Sequence, residues 1–150
     1  MSINVKKFGL RVVRETNENY DLDKNVTKPL DAVKIVNEVV DLHKRAEEVF
    51  VMVTLDVRNN VTGIFEVSVG SVNSSIVTPR EVFKRAILQN ADSIILVHNH
   101  PSGKLKPSTN DIDITDRLVE IGEVVGIKIV DHIIIGDEFE FLSMREQAII

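Results

Sequence analysis

The sequence predicts a layered domain of the α/β or α+β class, in which a mixed β-sheet is flanked by helices. Three observations predict it. Runs rich in β-branched residues interleave with two long segments of helical periodicity. The run at 93–97, Ser-Ile-Ile-Leu-Val, is short and almost wholly apolar, as strands of a sheet interior are. The chain has 150 residues with neither an internal repeat nor a linker, which suits a single domain over 1–150. A domain of that size buries roughly 70 % of the surface its unfolded chain exposes, so its core needs no disulfide. With no Cys, none can form.

Residues 1–28 read as an N-terminal extension: an edge strand over 3–15 anchored by Val5, Leu10 and Val12, then a loop over 17–28. The core follows over 29–150. Pro29 suits a first helical turn, and Leu30, Val33, Val36, Val39 and Val40 recur at helical spacing toward His43. Residues 49–57 and 61–69 are β-rich and flank Asn59-Asn60, which predicts a hairpin ending at Gly70. A polar loop over 71–78 leads to Thr78-Pro79-Arg80-Glu81, which combines an N-cap, a proline at the first helical position and a capping-box glutamate. The buried face of that helix is expected at Val82, Phe83, Ala86 and Ile87. After the strand at 93–97 comes a Pro- and Gly-punctuated loop over 98–107. Ser108-Thr109-Asn110-Asp111 then opens a helix carrying Ile112, Thr115, Leu118 and Val119, with Gly126 as its terminator. A strand at 127–135, a turn at Gly136-Asp137, a short strand at 138–142 and a final helical turn capped by Ser143 complete the chain.

Composition excludes several kinds of function. Without Cys there is no thiolate zinc site, iron–sulfur cluster or cysteine nucleophile. The chain carries 18 Lys and Arg against 23 Asp and Glu, a formal charge of −5, and has no basic run, so direct DNA binding is expected to be weak. No stretch approaches the about 18 apolar residues of a membrane span, and the first seven residues lack a signal-type apolar region. A soluble cytoplasmic protein without a membrane partner is the expectation.

Chemistry concentrates where the 93–97 strand runs out. His98 and His100 stand two apart, and on extended backbone such side chains share a side. Asp111 follows eleven residues later at a helix start, and Gly103 with Pro101 and Pro107 lets the loop fold back to bring it near. Two imidazoles and a carboxylate suit one Zn²⁺ or a similar borderline metal per chain, and three ligands leave a fourth position open for water. A rival reading needs no metal: Ser108 and Asp111 also satisfy a capping box, beside two incidental loop histidines. Other candidates are weaker. Glu47 and Glu48 read as the charged end of the first helix, His43 as solvated on its polar side, and Lys104 and Lys106 as solvating their loop. Strict alternation along 127–135 groups Asp131 with Ile127, Ile129, Ile133 and Ile135, and His132 with Lys128, Val130 and Ile134. One of the two polar groups is then buried and needs a partner, most simply a structural one.

His98-Asn99-His100-Pro101-Ser102-Gly103, followed by Pro107-Ser108, Asp111 and Asp131-His132-Ile133-Ile134-Ile135-Gly136, resembles the RadC family of the JAB/MPN (JAMM-type) metallopeptidase superfamily. The superfamily signature is His-x-His, seven residues, Ser, two residues and Asp, with a Glu upstream, and the spacing here matches residue for residue. Asn between the histidines is the RadC form; deubiquitinating relatives usually carry Ser or Thr. Residues 78–83 and 56–59 are also similar to RadC, and the likeness runs from about Glu47 to Phe141. Residues 3–28 are too short for the helix-hairpin-helix DNA-binding region of longer RadC proteins, so a short form is expected.

The resemblance implies a JAB/MPN-like metalloprotease fold and a zinc peptidase or isopeptidase. His98, His100 and Asp111 would hold the ion. Glu48, just ahead of an apolar strand, would be the general acid/base, with Glu47 as the fallback. Ser108 would donate a hydrogen bond to the oxyanion unless it only caps its helix. The peptide or protein substrate is left open. A non-catalytic interaction module associated with DNA repair is the alternative, and a zinc nucleobase deaminase is excluded because its Cys ligands are missing.

Overall fold

The computed structural model describes residues 1–70 and 77–150, so most of the loop expected at 71–78 lies outside the described residues. The elements run α1 (Pro29–Val40), a 3-10 turn (Leu42–Lys44), β1 (Val49–Leu55), β2 (Val61–Val69), α2 (Pro79–Leu88), β3 (Ser93–Asn99), α3 (Thr109–Val125), β4 (Lys128–Ile135) and β5 (Phe141–Ser143). The strands form one mixed sheet in the order β2-β1-β3-β4-β5. Only the β3–β4 pair is parallel, joined by a crossover through α3; the other three pairs are antiparallel. This is the expected α+β architecture, and it is consistent with the JAB/MPN fold.

The sheet separates two cores. On one face α1 packs Val33, Val36 and Ala32 against Val51, Val53, Val97, Ile133 and Ile135. On the other, Val82, Phe83 and Ala86 of α2 and Ile114 and Leu118 of α3 pack against Met52, Leu96 and Ile129. β1 and β3 are buried along their whole length because both are interior strands with helices on both sides, which explains their nearly unbroken apolar sequence. Helix starts follow local chemistry. Thr78 Oγ1 accepts from Glu81 N, and Ser108 Oγ accepts from Asp111 N. Gly126, at φ 75°, ends α3 in the left-handed conformation that glycine adopts without penalty.

Several expectations need correcting. Residues 3–15 form no strand, and Ile3, Val5, Phe8 and Leu10 are exposed. Their apolar positions switch from odd to even between Val5 and Phe8, so no single face could lie on a sheet. Contact with the sheet begins later, where Val61 N donates to Lys24 O and Val26 N to Asn59 O. In α2, Glu81 does not close its capping box; it pairs with Lys84 and Arg85, which hold its carboxyl down at about 2. Ile87 is exposed instead of buried. His43 lies in the 3-10 turn, half-buried, and not on the polar side of α1. β5 begins three residues later than expected, and the final turn stays a turn, with Ser143 Oγ accepting from Glu146 N.

A bulge in β4 overturns the alternation expected along it. Ile94 pairs with Ile129, but Ile95 pairs with Asp131, leaving Val130 as an extra residue that resets the strand's phase. His132 therefore faces the same side as Ile127 and Ile129, toward α3. Both polar residues are buried, Asp131 at 5 % and His132 at 0 % exposure.

Candidate metal centre

The candidate centre lies at the C-terminal end of β3, where the open edge of the α3 crossover meets the sheet. β3 extends two residues past the expected 97, so His98 is a strand residue, wholly buried, with Phe50 stacked on its ring at 6.1 Å. His100 is half-buried just beyond the strand, pinned by its own amide donating to Ile135 O. The intervening loop reaches back to α3 across Gly136, where a side chain would not fit. A Cβ at that position would lie 2.9 Å from both Gly103 O and Leu105 Cδ2.

Asp111 joins the histidines from the first turn of α3, and it does so while serving the helix. Its Oδ2 accepts from Ser108 N at 2.7 Å, and its amide donates to Ser108 Oγ at 3.1 Å. The capping box and the His-His-Asp cluster, rivals at the level of sequence, are therefore one arrangement. His98 Nε2 lies 3.0 Å from His100 Nε2 and 3.3 Å from Asp111 Oδ1, and His100 Nε2 lies 3.4 Å from Asp111 Oδ2. Ligand atoms about 2.0–2.1 Å from a tetrahedral zinc stand roughly 3.3 Å from one another, so these three side chains fit such an ion. They form the one group of at least three His, Asp or Glu side chains among the described residues that could hold a metal.

Electrostatics agree with that reading. Burial acts to raise the Asp111 carboxyl, but His100, His98 and the Ser108 side chain outweigh it and hold it well below the usual carboxylate range. His100 is raised chiefly by Asp111, against burial, with the Lys104 carbonyl and the Glu48 charge adding to the effect. His100 Nδ1 lies 2.6 Å from Lys104 O. A carbonyl can only accept, so Nδ1 carries a proton and donates it to Lys104 O, and Nε2 is the ring atom turned to the cluster.

The two glutamates separate. Glu47 is exposed and paired with Arg45 at 3.1 Å. Glu48 is half-buried, and the β1–β3 register, in which Phe50 faces His98, sets Glu48 opposite His100 when continued by two residues. Its charge is felt at His100 for that reason. Asn99 holds the segment in place from behind. Its Oδ1 accepts from Val49 N at 2.7 Å, and its Nδ2 donates to Glu47 O at 3.0 Å and Arg45 O at 3.2 Å. Ser108 is exposed, and its hydroxyl oxygen accepts from Asp111 N.

Three further groups stand behind the cluster, and only His132 is singled out in the sequence, as one of two polar residues of which one is expected to be buried. His132 Nε2 lies 2.8 Å from His98 Nδ1, and His132 Nδ1 lies 2.5 Å from Thr115 Oγ1. Burial, with the neighbouring His98 second, pushes the His132 pKa well below its ordinary value, so the ring is neutral. Asn99 stands out in the sequence only as the residue between two histidines. The spacing of Thr115 and His132 signals nothing in one dimension, since the bulge at Val130 decides which way His132 faces. Lys104 and Lys106 are exposed, and a groove of about 1,310 Å³ beside β2 and residues 12–24 is lined by none of the cluster residues.

Comparison with known families decides the assignment: the RadC-like JAB domain matches residues 26–149. The chain belongs to the RadC-like JAB domain family. Within it, this domain is 47 % identical over 143 residues to a UPF0758 protein of Caldanaerobacter subterraneus subsp. tengcongensis, covering 95 % of the chain and 58 % of that relative. A UPF0758 protein of Desulfitobacterium hafniense is 46 % identical over 125 residues, covering 83 % of the chain and 54 % of the relative. One of Geobacillus thermodenitrificans is 48 % identical over 120 residues, covering 80 % and 52 %. The RadC-like chain thus spans between half and three-fifths of the length of these relatives. No helix among its described residues is long and apolar enough to cross a membrane.

Proposed function

We propose that this domain is a zinc-dependent metallohydrolase that cleaves an amide bond, as a peptidase or isopeptidase. The observation that carries the reading is the convergence of His98 Nε2, His100 Nε2 and the Asp111 carboxylate at 3.0–3.4 Å, with the half-buried Glu48 near enough for its charge to act on His100. His98, His100 and Asp111 would hold the ion. When bound there, zinc supplies Lewis acidity, lowering the pKa of a coordinated water from 15.7 toward about 7. Glu48 takes a proton from the attacking water on its carboxylate and passes it to the leaving amine nitrogen, so that the amide's C–N bond breaks as a neutral amine departs. Ser108 donates its hydroxyl proton in a hydrogen bond to the oxyanion while its lone pair keeps the α3 cap, a contact whose loss typically costs about 10²- to 10³-fold in kcat.

Elemental analysis of the purified protein tests the metal, with about one zinc per chain expected. His98→Ala and Asp111→Ala should lose it, and wild-type zinc in both variants would refute the centre. Glu48→Gln should keep zinc and fold while losing about 10²- to 10⁴-fold in turnover on a peptide that wild type cleaves. Glu47→Gln should behave as wild type. Zinc binding with no turnover across a broad peptide and isopeptide panel would favour a non-catalytic interaction module instead.

A further inference from the structure

The hydrogen bonds behind His98 form a chain whose proton positions can be deduced from one end. Thr115 Oγ1 lies 2.5 Å from the backbone carbonyl of Asp111, four residues earlier on α3. That oxygen has no proton to give, so the hydroxyl donates to it. The same hydroxyl then offers only lone pairs to His132 Nδ1, 2.5 Å away, and Nδ1 must carry the proton of that ring. His132 is wholly buried, where a second ring proton and its charge would be costly, so its Nε2 is an acceptor. His98 Nδ1, 2.8 Å from it, must therefore be protonated, and His98 Nε2 is left bare toward His100 and Asp111.

We propose that His132 and Thr115 are positioning residues that hold His98 in its Nδ1–H form, so that its Nε2 lone pair is ready for a metal ion. The inference rests on the reading of the cluster as a zinc site, and it adds a cause for the site's state before any ion arrives. The direction of the whole chain is set by one group that cannot change role, the Asp111 carbonyl. Asp111 consequently contributes twice, through its carboxylate to the cluster and through its backbone to the orientation of the neighbouring ligand. Phe50 complements the chain: it stacks on His98 and meets His132 edge-on at 5.4 Å, covering both buried rings. Partners of this kind typically change metal affinity by about 10- to 100-fold when removed.

The test is Thr115→Val, which keeps the shape of the side chain and deletes the acceptor for His132 Nδ1–H. The ring of His132 then gains nothing from a proton at Nδ1 and is free to carry it at Nε2, where it would donate to His98 Nδ1 and drive the His98 proton to Nε2, into the ligand cluster. Two-bond ¹H–¹⁵N correlation spectra of zinc-free protein labelled in histidine read the tautomer directly. Wild type should show His98 as Nδ1–H; Thr115→Val should shift it toward Nε2–H and weaken zinc binding by about 10- to 100-fold in competition with a chromophoric chelator. Thr115→Ser, which restores the hydroxyl, should recover both. A merely packing role would leave the tautomer unmoved. Because His132→Leu also removes a buried polar ring from the core, the decision rests on the Thr115 pair.

The proposal is overturned if His98 is Nε2–H in wild type, or if Thr115→Val changes neither tautomer nor affinity. Absence of zinc binding by wild type would refute the metallohydrolase reading separately, since the tautomer is read in the zinc-free chain.

Discussion

Asn99→Leu isolates the brace behind Glu48 from the ligand set in front of it. Leu matches Asn in size but can make none of its three hydrogen bonds, to Val49 N, Glu47 O and Arg45 O. Val49 is wholly buried, so its amide is left without a partner where water does not reach, at about 1–3 kcal/mol. The Glu47 and Arg45 carbonyls belong to an exposed and a half-buried residue and can recover water, so each loses only the net value of a hydrogen bond, about 0.5–1.5 kcal/mol. A loss of about 2–6 kcal/mol is expected in urea unfolding, large against the stability of most single domains. The 45–49 segment should move while His98, His100 and Asp111 stay where β3 and α3 put them. Zinc content should therefore persist while turnover falls toward the Glu48→Gln level. A destabilisation below about 0.5 kcal/mol, or zinc lost together with activity, would refute the claim that Asn99 serves the Glu48 side alone.

Three further outcomes are expected. Gly136→Ala should cost about 1–3 kcal/mol in urea unfolding and weaken zinc binding, because the new Cβ meets the Gly103 carbonyl and shifts the loop whose Lys104 carbonyl orients His100. Asp131 is raised above the usual Asp value by burial, against hydrogen bonds from Ser143, the Arg145 amide and the His132 amide. The native state thus holds this proton longer than the unfolded chain does: the contribution is fully present below the unfolded pKa and is lost as pH rises through the higher folded value. Asp131→Asn should flatten that fall in a series of thermal midpoints taken upward from pH 3, and an unchanged slope would contradict the assignment. Finally, with a net charge of −5 the chain should show little affinity for duplex DNA in a gel shift at near-physiological salt; tight, salt-sensitive binding would favour a repair-associated role.

What could be read from the sequence follows the range of each interaction. Helix starts at Thr78 and Ser108, the stop at Gly126 and the interior strand at 93–97 are local, written in a few consecutive residues, and the structure has them at those positions. His98, His100 and Asp111 were legible because their spacing carries the geometry. Residues 3–15 misled because the apolar anchors Val5, Leu10 and Val12 do not keep the alternating phase that a strand requires. His132 escaped because a one-residue bulge reverses a face, and Glu81 because two cations one turn away compete with a backbone amide. Thr115 and Asn99 act through partners 17 and about 50 residues away, a distance across which one sequence holds no signal.

Asp131 and His132 are adjacent in the chain, yet they look to opposite sides of the sheet. Asp131 fastens the C-terminal turn through Ser143 Oγ and the Arg145 amide, Arg145 grips the Ile129 and Val130 carbonyls, and Met144 N donates to the His132 carbonyl itself. A single peptide link therefore joins the clasp on this turn to the ring that supports His98. Residues 143–149 work as a brace against the back of β4, and a load applied to them has a short lever to the ligand cluster. Pulling the turn from its seat would therefore act on the His132 backbone from the far side of the sheet, without approaching the His98, His100 and Asp111 side chains.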